Sequence, residues 1–368
     1  MKTVRILADD LTGALDCAAA FGAGVPVHLG HPGPGAPAPV DIVATATRDV
    51  AAHRLPQLLA PLLPWLAEAD IAFKKVDSLL RGNTFDEVDH VARAGGFGAL
   101  VFAPAFPAQA RITESGRQWW LRPGGERSAV GPQSIAEALR ERGWQAASAL
   151  PEPGTAGTAA AWVPDVRSDE ELDAVAAAAR RAPRRLLWCG SAGLAHAMAR
   201  SVAPPPPASR TTPDAAPGPV MLVSASHHPV SREQWRVLRQ SARAPDCLHA
   251  GDPAALCRAR DAYPALLDLS PEIEMTPAEA AALLARQAAL IATHAPRPRT
   301  AVVVGGDTLL ALCQALGAHA LSSEQPLQRT GWGSARMLGG CWDGVVCHTR
   351  SGAFGGPRDL EQVLDGLA

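Results

Sequence analysis

Two lysines stand side by side in Phe73-Lys74-Lys75-Val76-Asp77-Ser78-Leu79-Leu80-Arg81-Gly82-Asn83. Only three of the 34 Lys and Arg residues in the chain are lysine, and the third is Lys2. A chain this biased toward arginine keeps lysine where a guanidinium fork does not serve. An ammonium is a compact point charge on a flexible stem, and phosphoryl-transfer sites use such charges. Ser78, Arg81 and Asn83 add a hydroxyl, a fork and an amide, a set that suits a small polyhydroxy acid. A second concentration of chemistry is Asp9-Asp10-Leu11-Thr12-Gly13, directly after the apolar run Val4–Ala8. One of these adjacent carboxylates is expected to cap the following helix and the other to orient a substrate hydroxyl. Asp16 lies farther along the same helix, facing the same site. Arg48, after the apolar run Asp41–Ala44, can grip a carboxylate in bidentate fashion.

The elements that must position these residues repeat a single pattern: a short apolar run, a cluster of small or polar residues, then a helix. It occurs at Val4–Gly13, at Leu186–Gly193 with Gly190-Ser191-Ala192-Gly193, at Val220–Pro229 and at Ala301–Thr308. Alternation of this kind predicts an α/β fold with mainly parallel sheets and helices on both faces. Ligands gather outside the carboxyl ends of such strands, where backbone N–H groups and helix N-termini favour anions. Ser231 with Gln234 reads as a capping box on the helix after Val220–Val223. In Gly305-Gly306-Asp307-Thr308 the glycine pair can wrap phosphate oxygens, and Asp307 either caps the helix or positions Mg2+. Gly352 and Gly355, after Val345–Arg350, allow close backbone approach to a nucleotide. Pro104–Pro107, Gln109 and Arg111 offer a further polar wall.

At 368 residues two domains are expected. The proline-rich stretch from Ala203 to Pro219 divides residues 1–203 from 220–368, with 204–219 as the linker. A net charge of −2 gives no reason to expect nucleic acid or an anionic membrane as partner. The seven cysteines form no C-x-x-C pair, and the eleven histidines form no metal-ligand motif. With no charged-then-apolar leader and no apolar run of membrane-spanning length, a cytoplasmic location is expected. Neither G-x-x-x-x-G-K-[ST] nor a G-x-G-x-x-G after the first strand occurs, which counts against a P-loop NTPase and a standard dinucleotide dehydrogenase.

In this order, Ala8–Asp16, Thr47-Arg48, Lys74–Asn83, Pro104–Pro107, Gly190–Ala195, Ser226 with Gln234, Gly305–Thr308 and Ser351–Gly355 resemble the four-carbon acid sugar kinase family over nearly the whole chain. The chain has Ala225-Ser226 where the family usually has Gly-Ser, and Arg350 where it often has Lys. The resemblance implies two Rossmann-like α/β domains with an interdomain active-site cleft. The first domain would hold a sugar acid through the Asp9–Gly13 turn (Thr12 and Gly13), Asp16, Arg48 and the loop bearing Ser78, Arg81 and Asn83. The second would hold ATP through Ser226, Gly305, Gly306, Asp307, Thr308, Gly352 and Gly355. It implies phosphorylation of the terminal hydroxyl of threonate, erythronate or 3-oxo-tetronate, with Mg2+ carried by ATP, in a homodimer. Lys74 or Lys75 would neutralise charge, and Asp10 or Asp9, ahead of Asp307, would accept the hydroxyl proton. A catalytically silent sugar-acid sensor and an NAD(P)-dependent sugar-acid dehydrogenase are the competing readings.

Overall fold

The computed structural model describes residues 2–33, 38–122, 124–131, 133–149, 160–182, 185–202, 219–241, 252–258, 264–270, 273, 275–325 and 331–367. The expected linker lies outside the described residues except for Pro219. The chain divides into two compact units, Met1–Ala208 and Ser209–Ala368.

In the first unit the strands are β1 (Val4–Ala8), β2 (Pro26–Leu29), β3 (Val40–Ala44), β4 (Ile71–Lys75), β5 (Ala99–Ala103), β6 (Arg111–Glu114), β7 (Arg117–Leu121), β8 (Arg127–Ala129), β9 (Gln145–Ala147), β10 (Ala160–Trp162) and β11 (Leu187–Gly190). Eight of them form one sheet in the order β2-β3-β1-β4-β11-β5-β10-β9, and every pairing within it is parallel. All five residues of β1, β3, β4 and β5 are buried, as expected of strands covered by helices on both faces. The helix Leu11–Ala20 follows β1 and buries Leu11, Ala14, Leu15 and Ala18, a stripe at helical spacing. From β1 the chain runs outward to β3 on one side, and β4 lies on the other. The carboxyl ends of β1 and β4 therefore meet at the topological switch point, with Ala8 beside Lys75.

β6, β7 and β8 make a separate antiparallel sheet that the sequence reading did not anticipate. The β6–β7 hairpin turns through Ser115 and Gly116, both at positive φ, the two-residue turn that matches strand twist.

The second unit contains β12 (Val220–Ser224), β13 (Ala265–Asp268), β14 (Thr300–Val304), β15 (Ala320–Ser323), β16 (Gly333–Leu338) and β17 (Val346–Arg350). Their order is β13-β12-β14-β17-β16-β15, parallel from β13 to β17 and antiparallel beyond. Ser224 pairs with Val304 and Val304 with Arg350, which aligns the turns after β12, β14 and β17 along one edge. The core here is built on Leu222, Trp235, Leu266, Val302, Val304 and Leu360. Among the described residues no helix is long and apolar enough to cross a membrane.

Candidate active site

β4 decides between the two lysines. Successive strand residues face opposite sides of a sheet, so Lys74 and Lys75 part company. Lys74 is fully buried, its Nζ 2.7 Å from Glu87 Oε2 on the helix Thr84–Ala94 and donating to the Lys75 carbonyl at 3.1 Å. It pins that helix to the sheet and does not join the other candidate residues. The sequence expectation that counted Lys74 among the catalytic cations is corrected on that ground.

Lys75 points to the other face. Its Nζ stands 3.8 Å from Asp9 Oδ1 and 3.7 Å from Asp10 Oδ1, beyond hydrogen-bond length from either. The ammonium packs against Gly13, where a Cβ would overlap Lys75 Nζ and Asp10 Oδ1 and lie 2.9 Å from Lys75 Cε. Glycine at 13 is thus a requirement of close approach. Burial opposes a charge on Lys75, but Asp10 and Asp9 outweigh it and hold its pKa above that of ordinary lysine.

Asp10 is the N-cap residue, accepting from Gly13 N at 3.2 Å and from the Thr12 hydroxyl. Its carboxyl is held below the usual range: burial works against ionisation, and Lys75, Arg48, Thr12 and Gly13 overcome it. Asp9 is buried, and its Oδ1 has no hydrogen-bond partner among the described residues. Arg48 ties both acids together. Its Nε donates to Asp9 Oδ2 at 2.7 Å, and its Nη2 lies 2.7 Å from Asp10 Oδ1 and 3.7 Å from Asp77 Oδ1. The fork expected to grip a substrate carboxylate is spent largely on the protein's own.

Asp77, two residues beyond Lys75, is gripped by Arg81, whose Nε and Nη2 donate at 2.7 and 2.8 Å. Burial would raise the Asp77 pKa, yet Arg81 and Arg48 pull it well below the usual carboxylate range. Ser78 Oγ accepts from Arg111 Nη1 at 3.1 Å, and Gln118 fixes the Ser78 carbonyl at 2.9 Å. Asn83 was expected to touch substrate. Instead its amide donates to the carbonyls of Thr47, Arg48 and Val50 at 3.1, 3.3 and 2.6 Å, latching the 47–50 loop in place. Asp16 sits one helical turn beyond Gly13, exposed to solvent. Its pKa is pushed up to about 6, first by surrounding protein and then by the Asp10 charge, against the pull of Lys75 and Arg111. Its solvent exposure tempers the desolvation part of that rise.

In the second unit Gly305 precedes the helix Gly306–Leu316 and offers no side-chain cap to its first N–H groups. Asp307 is exposed in the first turn, and Thr308 is buried beneath Gly305. At Gly352 a Cβ would come within 2.8 Å of Ser226 Cβ and 2.9 Å of Ser231 Oγ, so these two turns touch only because 352 is glycine. The predicted capping box is absent. The helix starts at Pro229 with His228 as N-cap, which frees Ser231 to donate to the Gly352 carbonyl at 2.7 Å. Gln234 Nε2 donates to the carbonyls of Phe354 and Gly356 at 3.0 and 2.9 Å. Arg350 is buried over Trp332, with Nε 3.1 Å from Asp359 Oδ2 and its other nitrogens on Phe354 and Gln234. It anchors the 351–356 loop from below. Asp359 Oδ2 also occupies the space a Cβ at Gly355 would need. The Gly190–Gly193 turn is a packing device, because a Cβ at Gly190 would meet the Ala103 carbonyl at 2.5 Å and one at Gly193 the Ala105 carbonyl at 2.6 Å.

A family description, the sugar-binding N-terminal domain, matches residues 4–134. D-threonate kinase from Cupriavidus necator is 29% identical over 363 residues, covering 86% of each chain. D-threonate kinase from Bordetella bronchiseptica is 29% identical over 391 residues, covering 96% of this chain and 94% of its own. These likenesses support the resemblance to the four-carbon acid sugar kinase family. A crystal structure from Salmonella typhimurium LT2, described as a tRNA synthase, superposes with a TM-score of 0.72 at 20% identity over 99% of both chains, a likeness of fold alone.

Sequence reading left Asp77 out of the site and placed Arg111 only in a polar wall. Asp77 carries a legible signal, since two steps along an extended segment returns to the face of Lys75. Arg111 reaches Ser78 from β6, and no spacing in the sequence announces that contact.

Proposed function

We propose that the chain is an ATP-dependent sugar-acid kinase that phosphorylates the terminal C4 hydroxyl of a four-carbon acid such as threonate, erythronate or 3-oxo-tetronate. The observation that carries this reading is Lys75: a buried, charged ammonium beyond hydrogen-bond reach of both its acidic neighbours, with Asp9 Oδ1 beside it also lacking a bond. Both groups keep bonding capacity for a third partner carrying hydroxyls and negative charge. The D-threonate kinases that align over most of the chain support the substrate class.

The first unit would bind the acid through Lys75, Asp9, Thr12, Ser78 and the outer edge of Arg81. The second would bind the nucleotide through Ser226, the N-terminus of the helix Gly306–Leu316 and the 352–355 loop, a set of backbone donors that fits a phosphate chain. Among the described residues no group of three His, Cys, Asp or Glu is placed to hold a metal. Mg2+ would arrive with the phosphates and supply charge neutralisation, with Asp307 as the acidic side chain at hand. For a loose phosphoryl-transfer transition state, fixing the acceptor and neutralising charge are the main protein contributions.

A coupled ADP-release assay over both enantiomers of threonate and erythronate, plus 3-oxo-tetronate, tests this reading. ATP-dependent turnover of at least one acid is expected. ADP release no higher with any acid than without would overturn it.

A further inference from the structure

Proton removal from the acceptor hydroxyl needs a carboxylate that is ionised, reachable and not already committed. Asp10 fails the last condition. Its two oxygens serve Gly13 N, Thr12 and Arg48. Asp77 is spent on Arg81 and Arg48, and on the backbone N–H groups of Leu79 and Arg81. Asp9 is buried, with Oδ2 bonded to Arg48 and Oδ1 facing Lys75. Buried, tied to Arg48 and facing the Lys75 ammonium, Asp9 is placed to accept a hydrogen bond from the acid.

Asp16 differs on each count. It is open to solvent on the helix that carries Gly13, three residues and so one turn beyond the point where the Lys75 ammonium packs. Among the described residues nothing hydrogen-bonds to its carboxyl; Lys75, Asp10 and Arg111 act on it only through their charge.

We infer that Asp16 is the general base of the transfer, with Asp9, Asp10 and Arg48 serving as the frame that fixes Lys75 and the acid. This rests on the kinase reading and deepens it. In the step, the acceptor O–H bond breaks and its proton passes to an Asp16 oxygen. The freed electron pair forms the new O–P bond to the terminal phosphoryl group. The bond from that phosphorus to the bridging oxygen breaks, and the diphosphate leaves with the pair. The proton then passes from Asp16 to water. A base needs a proton affinity near the working pH, and Asp16, pushed up to about 6, meets that need where the Asp10 carboxyl, held low, does not.

The test is the pH–rate profile of wild type, Asp16→Asn and Asp10→Asn on the acid that turns over best, with thermal midpoints to confirm folding. Wild type is expected to lose kcat below about pH 6. Asp16→Asn should lower kcat by roughly 10²–10⁴-fold, abolish that acid limb and leave KM for the acid within about threefold. Asp10→Asn should lower activity while keeping the acid limb. Asp16→Asn with kcat within about threefold of wild type, or with the acid limb intact, overturns the assignment and leaves the kinase reading standing. A wild-type protein that turns over no acid in the panel sinks the kinase reading, and this assignment with it.

Discussion

The neighbouring lysines invite a paired experiment, because one is assigned to architecture and the other to chemistry. Lys74 and Glu87 are each about 1% exposed at the side chain, with Nζ and Oε2 2.7 Å apart. Replacing Lys74 by Met leaves the Glu87 carboxylate buried with no counter-charge. Breaking one side of a buried pair costs about 3–5 kcal/mol, a large share of the 5–15 kcal/mol that holds a typical domain together. Removing both charges in Lys74→Met/Glu87→Leu should recover most of that loss, since well-packed apolar replacements of buried pairs are often neutral. Urea unfolding at pH 7.5 reads the stabilities, and turnover of the folded variants reads the chemistry. The double variant should keep kcat within a few-fold of wild type. Lys75→Met should fold and lose at least about 10²-fold in kcat, because the ammonium facing Asp9 and Asp10 is gone. A double variant no more stable than Lys74→Met would refute the pairing argument. A Lys75→Met enzyme with wild-type kcat would refute the division of labour between the two faces of β4.

Gly13→Ala pushes a methyl into the Lys75 ammonium. That end of the side chain can swing away, so about 1 kcal/mol of stability is lost while kcat falls roughly 10–100-fold, with KM for ATP unchanged in steady-state kinetics. Asp16 gives a prediction independent of turnover. Its pKa is raised to about 6 against 3.8 for the unperturbed group, so the native state binds this proton more tightly than the unfolded chain does. Stability therefore falls as pH rises from about 4 to 6, and the penalty is complete above 6. Screening at an exposed position holds it to the order of 1 kcal/mol. Asp16→Asn should gain that amount at pH 7.5 and nothing near pH 4 in urea melts. An equal gain at both would contradict a raised proton affinity at Asp16 in the folded state.

Much of the first unit's chemistry was legible because it lies at strand ends. Val4–Ala8 followed by Asp9-Asp10 announces a strand, a turn and a capped helix, and Asp10 does cap that helix at Gly13. The carboxylate–ammonium group at the β1–β4 switch point follows from the parallel fold. Adjacent residues hide their facing, so Lys74 and Lys75 were inseparable until strand phase was fixed. Asn83 was misjudged for a related reason. A polar side chain in a loop reads the same whether it binds a ligand or the loop's own carbonyls, and here the carbonyls of Thr47, Arg48 and Val50 hold it. Ser231 and Gln234 have capping-box spacing, but Pro229 sets the first helical position two residues earlier. The β6–β8 sheet went unseen although Ser115-Gly116 marks a hairpin and Trp119-Trp120 favours strand.

Arg48 has a consequence beyond its contacts. It arrives from the segment after β3 and binds acids that follow β1 and β4, so no two of these strands alone produce the arrangement. The carboxylate–cation frame proposed to hold the acid is then complete only when all three neighbours in the sheet are in place. An incompletely assembled chain carries all the same charges and has nowhere to put them.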